Sequence, residues 1–356
     1  MTINNYKILF IIISLSILIG IAKHMGNISY KWEILDTFDN EILSLEFISP
    51  SKGWMSALLM DKTSEPEMWQ EYKKGINRIT VTEDGGKTWE IVYESPGNFI
   101  EQLQYMDTTK WLLGVKSTYQ EGKGHPDFML YKSIDEGHHW EIFCQLPVPH
   151  SIEGFYFFDD YKGYVWTLEK LFATSDRGKT WSLIALIDVP YKTGKIYRIG
   201  PANFFYFIDN NEIKKVNPWK NVNFSLTLPV NFKAKDIFSN PSQSKVYILG
   251  QTPSKWLLLV YENDQLISTE VIPIKEKQFE LEAFFCGKNT FQVIGSTLSF
   301  FKPYHFYIKN LTDWHKESLS GKKNFEYFAF WENHTWAVRI ALFKGNRELL
   351  HREITQ

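Results

Sequence analysis

The chain has 356 residues, 44% of them hydrophobic and 16% aromatic, which supplies a large core and is too aromatic for disorder. Its net charge of −2 lacks the basic face that nucleic-acid binding calls for. The two cysteines, Cys144 and Cys286, stand far apart, with no CxxC pair and no Cys/His cluster. That pattern argues against a zinc site and for two buried free thiols.

In chain order, the first feature is Ile8 to Ala22, an apolar run bracketed by Lys7 and Lys23. At about 1.5 Å per residue it falls short of a hydrocarbon core of about 30 Å. Its length suits the apolar region of a signal peptide, and Gly20 and Ala22 offer small residues for cleavage. Ile21 and Lys23 flank that cut poorly, which favours a retained anchor. Residues 1–28 are thus a signal peptide or membrane anchor. Residues 29–356 are expected outside the membrane, anchored facing the periplasm or extracytoplasmic space, or periplasmic if cleaved.

From about residue 29 short alternating strands separated by turn signals read as all-β, with no long helical periodicity. Three units span 42–93, 100–145 and 152–186. Each contains one turn of the form Ser/Thr-x-Asp-x-Gly-x-x-Trp, and such internal repeats govern the whole reading. The turns are Thr82, Asp84, Gly86, Trp89; then Ser133, Asp135, Gly137, Trp140; then Thr174, Asp176, Gly178, Trp181. The Asp can accept backbone N–H bonds from its turn, and the Gly supplies a positive φ. The Trp, on the returning strand, can cover the turn and reach the next unit. Successive Asp residues lie about 50 and about 40 residues apart, the length of a four-stranded propeller blade.

These turns resemble Asp-boxes, the BNR repeats of sialidase-like β-propellers and of propellers of the photosystem II stability and assembly factor type. The resemblance is direct over residues 79–183. It implies that each box joins the third and fourth strands of a blade and that its role is structural. Asp84, Asp135 and Asp176 are then satisfied by their turns rather than available as calcium ligands. His138 and His139 become exposed turn residues.

Beyond Trp181 the boxes erode while the rhythm continues through units at 195–228, 234–271 and 279–319. Asn217-Pro218-Trp219, Asn263-Asp264 and Asn310-Leu311-Thr312-Asp313-Trp314 stand where boxes should be. The last unit, 325–353, has only three strands. The stretch 30–38 resembles the strands that follow each box and can serve as its fourth. The expected fold is a seven-bladed β-propeller over 29–356, zipped shut by 30–38 against 325–353, with about 47 residues per blade.

Two insertions between second and third strands, 61–77 and 118–127, lie on the face opposite the boxes. Long loops on a repeat scaffold carry function. Met68, Trp69, Tyr72, Tyr119 and His125 in them are the expected partner-binding residues. A sialidase needs an arginine cluster, an acid/base carboxyl and a Tyr–Glu nucleophile pair. Only six arginines occur in the chain. Tyr197-Arg198-Ile199-Gly200-Pro201 resembles an Arg-Ile-Pro motif, but with an intervening Gly and in the wrong order relative to the boxes. No catalytic set, metal site or cofactor is expected. The expected function is an exported, non-enzymatic scaffold for a protein partner, of assembly-factor or immunity type. The alternative is a glycan-directed protein, lectin-like or a sialidase-like hydrolase.

Overall fold

The computed structural model describes residues 32–59, 75–96, 99–118, 127–148, 152–186, 197–199, 204–209, 212–239, 244–276, 278–286, 290–297, 304–310, 313–319, 324–340 and 347–354. The apolar run at 8–22 lies outside these residues.

The described strands form seven four-stranded antiparallel sheets, the blades of a propeller. Blade one is β2 (Glu41–Phe47), β3 (Gly53–Leu59), β4 (Ile76–Thr82) and β5 (Glu90–Pro96). Blade two is β6 (Phe99–Met106), β7 (Trp111–Thr118), β8 (Asp127–Ser133) and β9 (Glu141–Gln145). Blade three is β10 (Gly154–Phe157), β11 (Gly163–Trp166), β12 (Lys170–Thr174) and β13 (Ser182–Leu186). In blade four, β14 (Tyr197–Ile199), β15 (Phe205–Asp209) and β16 (Glu212–Asn217) precede β17 (Val222–Leu226). Blade five runs from β18 (Lys233–Ser239) through β19 (Lys245–Gln251) and β20 (Trp256–Glu262) to β21 (Gln265–Ile272). Blade six comprises β22 (Phe279–Cys286), β23 (Thr290–Thr297), β24 (Tyr304–Asn310) and β25 (Asp313–Leu319).

The seventh blade takes β26 (Asn324–Trp331), β27 (His334–Ile340) and β28 (Arg347–Glu353) from one end of the chain. Its outermost strand is β1 (Glu33–Phe38), which pairs antiparallel with β28 from Glu33↔His351 to Phe38↔Arg347. Trp32-Glu33-Ile34 thus repeats the placement of Trp89-Glu90-Ile91 at the head of β5. Closing the ring through two distant segments leaves no open blade.

Blade-to-blade burial explains the sequence pattern. Seven buried apolar clusters fill the seven interfaces between neighbouring blades. The near-continuous apolar run of β20 shows why. Leu257, Leu259 and Tyr261 face blade four, whereas Trp256, Leu258 and Val260 face blade six. A strand's side chains alternate, so a strand buried on both faces is apolar at every position. Cys144 and Cys286 form no disulfide, lie buried in different interfaces, and have thiols pushed up to about 12 by burial.

The first strand of each blade faces the axis: β2 touches β6 and β26, β6 touches β10, and β18 touches β14 and β22. Turns from first to second strand share a face with the turns from third to fourth. Gly85 N donates to Ser51 O and Arg177 N to Tyr161 O across that face.

Candidate functional site

Each of the three repeated turns is a closed hydrogen-bond unit. In the first, Gly86 N donates to Thr82 Oγ1 (2.8 Å), and that hydroxyl donates to Asp84 Oδ1 (2.9 Å). The same carboxylate accepts from Lys87 N, Thr88 N and Thr88 Oγ1. Ser133, Asp135 and Gly137 repeat the arrangement, with His139 N and the His139 ring on Asp135. In the third, Thr180 N and Oγ1 both donate to Asp176, and Gly178 N donates to Thr174. Gly86, Gly137 and Gly178 take φ of 98°, 104° and 74°, where a Cβ is penalised. His138 and His139 are exposed.

These bonds set the titration of the turns. The Thr88 amide is the main cause holding Asp84 down to about 2, against desolvation. Desolvation pushes Asp135 upward, but bonds from His139 and Ser133 outweigh it and leave it at about 2. The Thr180 hydroxyl and amide hold Asp176 at about 2. A carboxylate depressed in the folded state stabilises above its unfolded pKa of about 4 and ceases to do so as pH falls through 2. Asp135→Asn is therefore expected to destabilise by about 1–2 kcal/mol at pH 7. The difference from wild type should shrink between pH 4 and pH 2 in chemical denaturation. An unchanged denaturation midpoint at pH 7 would contradict this role.

The turn tryptophans dock on the preceding blade, not on the following one as the sequence suggested. Trp89 lies at the blade seven–one interface, Trp140 at one–two and Trp181 at two–three. Second-strand tryptophans complete the seams from the other side: Trp336 Nε1 donates to Gly85 O and Trp54 Nε1 to Glu136 O (both 2.9 Å). Lys52 bridges Glu83 of its own turn and Glu136 of the next.

Where the motif erodes, other chemistry keeps the same seam. In blade four a 3-10 turn, Pro218–Lys220, is capped by the Asn217 side chain accepting from Lys220 N. It sets Trp219 against Tyr164 and Phe158 of blade three. In blade five Asn263 and Asp264 form a two-residue turn with φ of 48° and 65°. Asp264 reaches back to Lys215 Nζ of blade four at 2.6 Å. That ammonium lies 4.0 Å from the Phe204 ring and 5.2 Å from that of Phe224. Lys215, Phe204, Asn263 and Asp264 line a cavity of about 140 Å³ with Tyr206 and Tyr261. Trp314 restores the tryptophan seam in blade six.

A second set of equivalent residues surrounds the axis, and it was not singled out from the sequence. It occupies the next-to-last position of each first strand: Glu46, Tyr105, Tyr156, Phe238, Phe285 and Phe330, with Arg198 at that register position in blade four. The six are half-buried, and in five of them the preceding residue is buried. Phe238 lies 5.2 Å from Phe285, which stacks on Phe330 at 4.5 Å. On the other side Glu46 meets the Tyr105 amide and faces Tyr156. Burial pushes the Glu46 carboxyl up to about 7, opposed by the Tyr105 amide.

No family model and no curated relative matches the sequence. Solved structures match over nearly the whole chain. A YCF48 bound to D1 peptide aligns with TM-score 0.56 and 15% identity, covering 92% of this chain and 97% of its own. YCF48 from Cyanidioschyzon merolae gives 0.59 and 12%, covering 90% and 98%. The β-propeller domain of the Trilobed protease from Pyrococcus furiosus gives 0.53 and 12%, covering 90% and 98%. The fold is that of known β-propellers. At such identities the likeness establishes architecture and leaves chemistry to the side chains.

Among the described residues, no three His, Cys, Asp or Glu side chains converge to hold a metal ion. Met68, Trp69, Tyr72, Tyr119 and His125 lie outside the described residues. The strand ends that carry their loops are described. Leu59 pairs with Ile76 and Thr118 with Asp127, in neighbouring blades and at the ends of the strands away from the aspartate turns.

Proposed function

We propose that this chain is a non-catalytic propeller of the Asp-box type that holds a protein partner on the face opposite its aspartate turns. The observation that carries the reading is the placement of both insertions on adjacent second-to-third strand hairpins, in blades one and two. The strand ends that bear the loops containing Met68, Trp69, Tyr72, Tyr119 and His125 stand in adjacent blades on one face. Aromatic side chains with methionine make efficient binding hot spots. The turn carboxylates meanwhile hold their own backbone, which is a structural rather than a catalytic use. A propeller of the same fold bound to a D1 peptide supports the peptide- or protein-binding class.

The apolar run at 8–22 supports export, with the propeller outside the membrane and touching it through that segment alone. The partner class is an assembly client or a toxin neutralised outside the cytoplasm. Replacing Trp69 and Tyr72 together by Ala is expected to reduce capture of the partner from the native envelope at least tenfold, while the melting temperature holds. Undiminished capture would remove this face from consideration. Turnover of an aryl glycoside, abolished by one carboxylate change, would replace the reading with a glycosidase.

A further inference from the structure

The axial tier stands apart from the loop surface. Its residues sit next to the first-to-second strand turns, so it lies towards the mouth on the aspartate-turn side. One carboxyl among five aromatic rings is an unusual composition for a ring of equivalent positions. The same position in five other blades is Tyr or Phe, and a Phe or Tyr in blade one would have extended the aromatic lining. An acid here instead bears a desolvation cost that the single Tyr105 amide does not offset.

The geometry points to the axial tier as a receptor for a basic side chain, a guanidinium or ammonium group of a protein partner entering from the aspartate-turn mouth. The carboxylate of Glu46 would supply the ion pair. Tyr105, Tyr156, Phe238, Phe285 and Phe330 would supply ring faces for cation–π contact, which strengthens where water is excluded. No ion pair to Glu46 occurs among the described side chains, and such a cation would supply one. Burial, then Glu46, raises the Tyr156 phenol, so it stays neutral and does not compete for the cation. Because the empty carboxyl titrates near 7, a cation binds best where Glu46 is ionised, above that pH.

The test titrates the full chain with two blocked tripeptides, acetyl-Gly-Arg-Gly-amide and its citrulline analogue, followed by ligand-observed NMR. Citrulline keeps the shape of arginine and removes the charge. At pH 8 the arginine peptide is expected to bind at least tenfold more tightly than the citrulline peptide. Glu46→Gln should erase that preference, and so should lowering the pH of wild type to 5.5. Phe285→Leu should weaken the arginine peptide several-fold, and Arg198→Gln should leave it unchanged or tighter. Melting curves confirm that each variant is folded. Equal binding of the two peptides, equal binding by Glu46→Gln, absence of binding, or loss in Arg198→Gln would each overturn the proposal. The Trp69/Tyr72 variant should titrate as wild type, so failure here leaves the loop surface standing.

Discussion

Arg352→Ala is expected to destabilise the protein by about 3–5 kcal/mol, the range for stranding one partner of a buried ion pair. Arg352 is almost fully buried, 1% exposed, at the seam where the closing blade meets blade six. One guanidinium nitrogen donates to Glu317 Oε2 of β25 (2.9 Å) and another to Gln292 Oε1 of β23 (3.0 Å). Its guanidinium carbon lies 4.4 Å from the centre of the Trp32 ring and 4.8 Å from that of Phe306. One cation therefore joins β28, three strands of blade six, and the segment entering β1. Desolvation already raises Glu317, and Arg352 opposes it. Removing the arginine leaves that carboxyl without its counter-charge. Urea unfolding measures the loss, and Arg352→Leu combined with Glu317→Leu should recover much of it, because an apolar pair needs no counter-charge. A loss below about 1 kcal/mol for Arg352→Ala would show that the seam does not depend on this residue.

Gly178→Ala is the second large effect, about 2–5 kcal/mol. The backbone at φ 74° contributes about 1–2 kcal/mol, since a Cβ is disfavoured there. Overpacking adds about 1–3 kcal/mol, because the new carbon would stand 2.5 Å from Cys144 Sγ and 2.7 Å from Cys144 Cβ. Gly137→Ala should cost less, for its nearest neighbour, Val92 Cγ2, is 3.2 Å away and can yield. Cys144→Ala should rescue Gly178→Ala in part by removing the sulfur. A double-mutant cycle by thermal melting reads that coupling. Strict additivity of the two substitutions would contradict the docking of the third turn on blade two.

The architecture was legible where a single side-chain chemistry recurs. Three Asp-Gly turns, each followed by a tryptophan at the head of its outer strand, mark the first three blades. Trp32-Glu33 at one end of the chain repeats that head and marks the strand that pairs with β28. The direction of tryptophan docking was not legible, because a repeat period is the same read forwards or backwards; the hand of the ring decides it. Nor was the substitute in blade five. Lys215 and Asp264 lie 49 residues apart, and nothing local in either stretch links them. The axial tier carried a signal that reading each strand alone misses. Aligning the first strands on their ends sets Glu46 against Tyr105, Tyr156, Phe238, Phe285 and Phe330, and the one carboxyl among aromatics then stands out.

The claim that the protein acts by holding a partner on its loop face is tested most directly by placing a photo-reactive phenylalanine at position 69. The same label at Glu141, exposed on the outer strand β9, is the comparison. Irradiation in the native envelope, followed by mass spectrometry, should yield one protein cross-linked through position 69 and absent from position 141. The same cross-links from both positions, or none from position 69, would contradict the account.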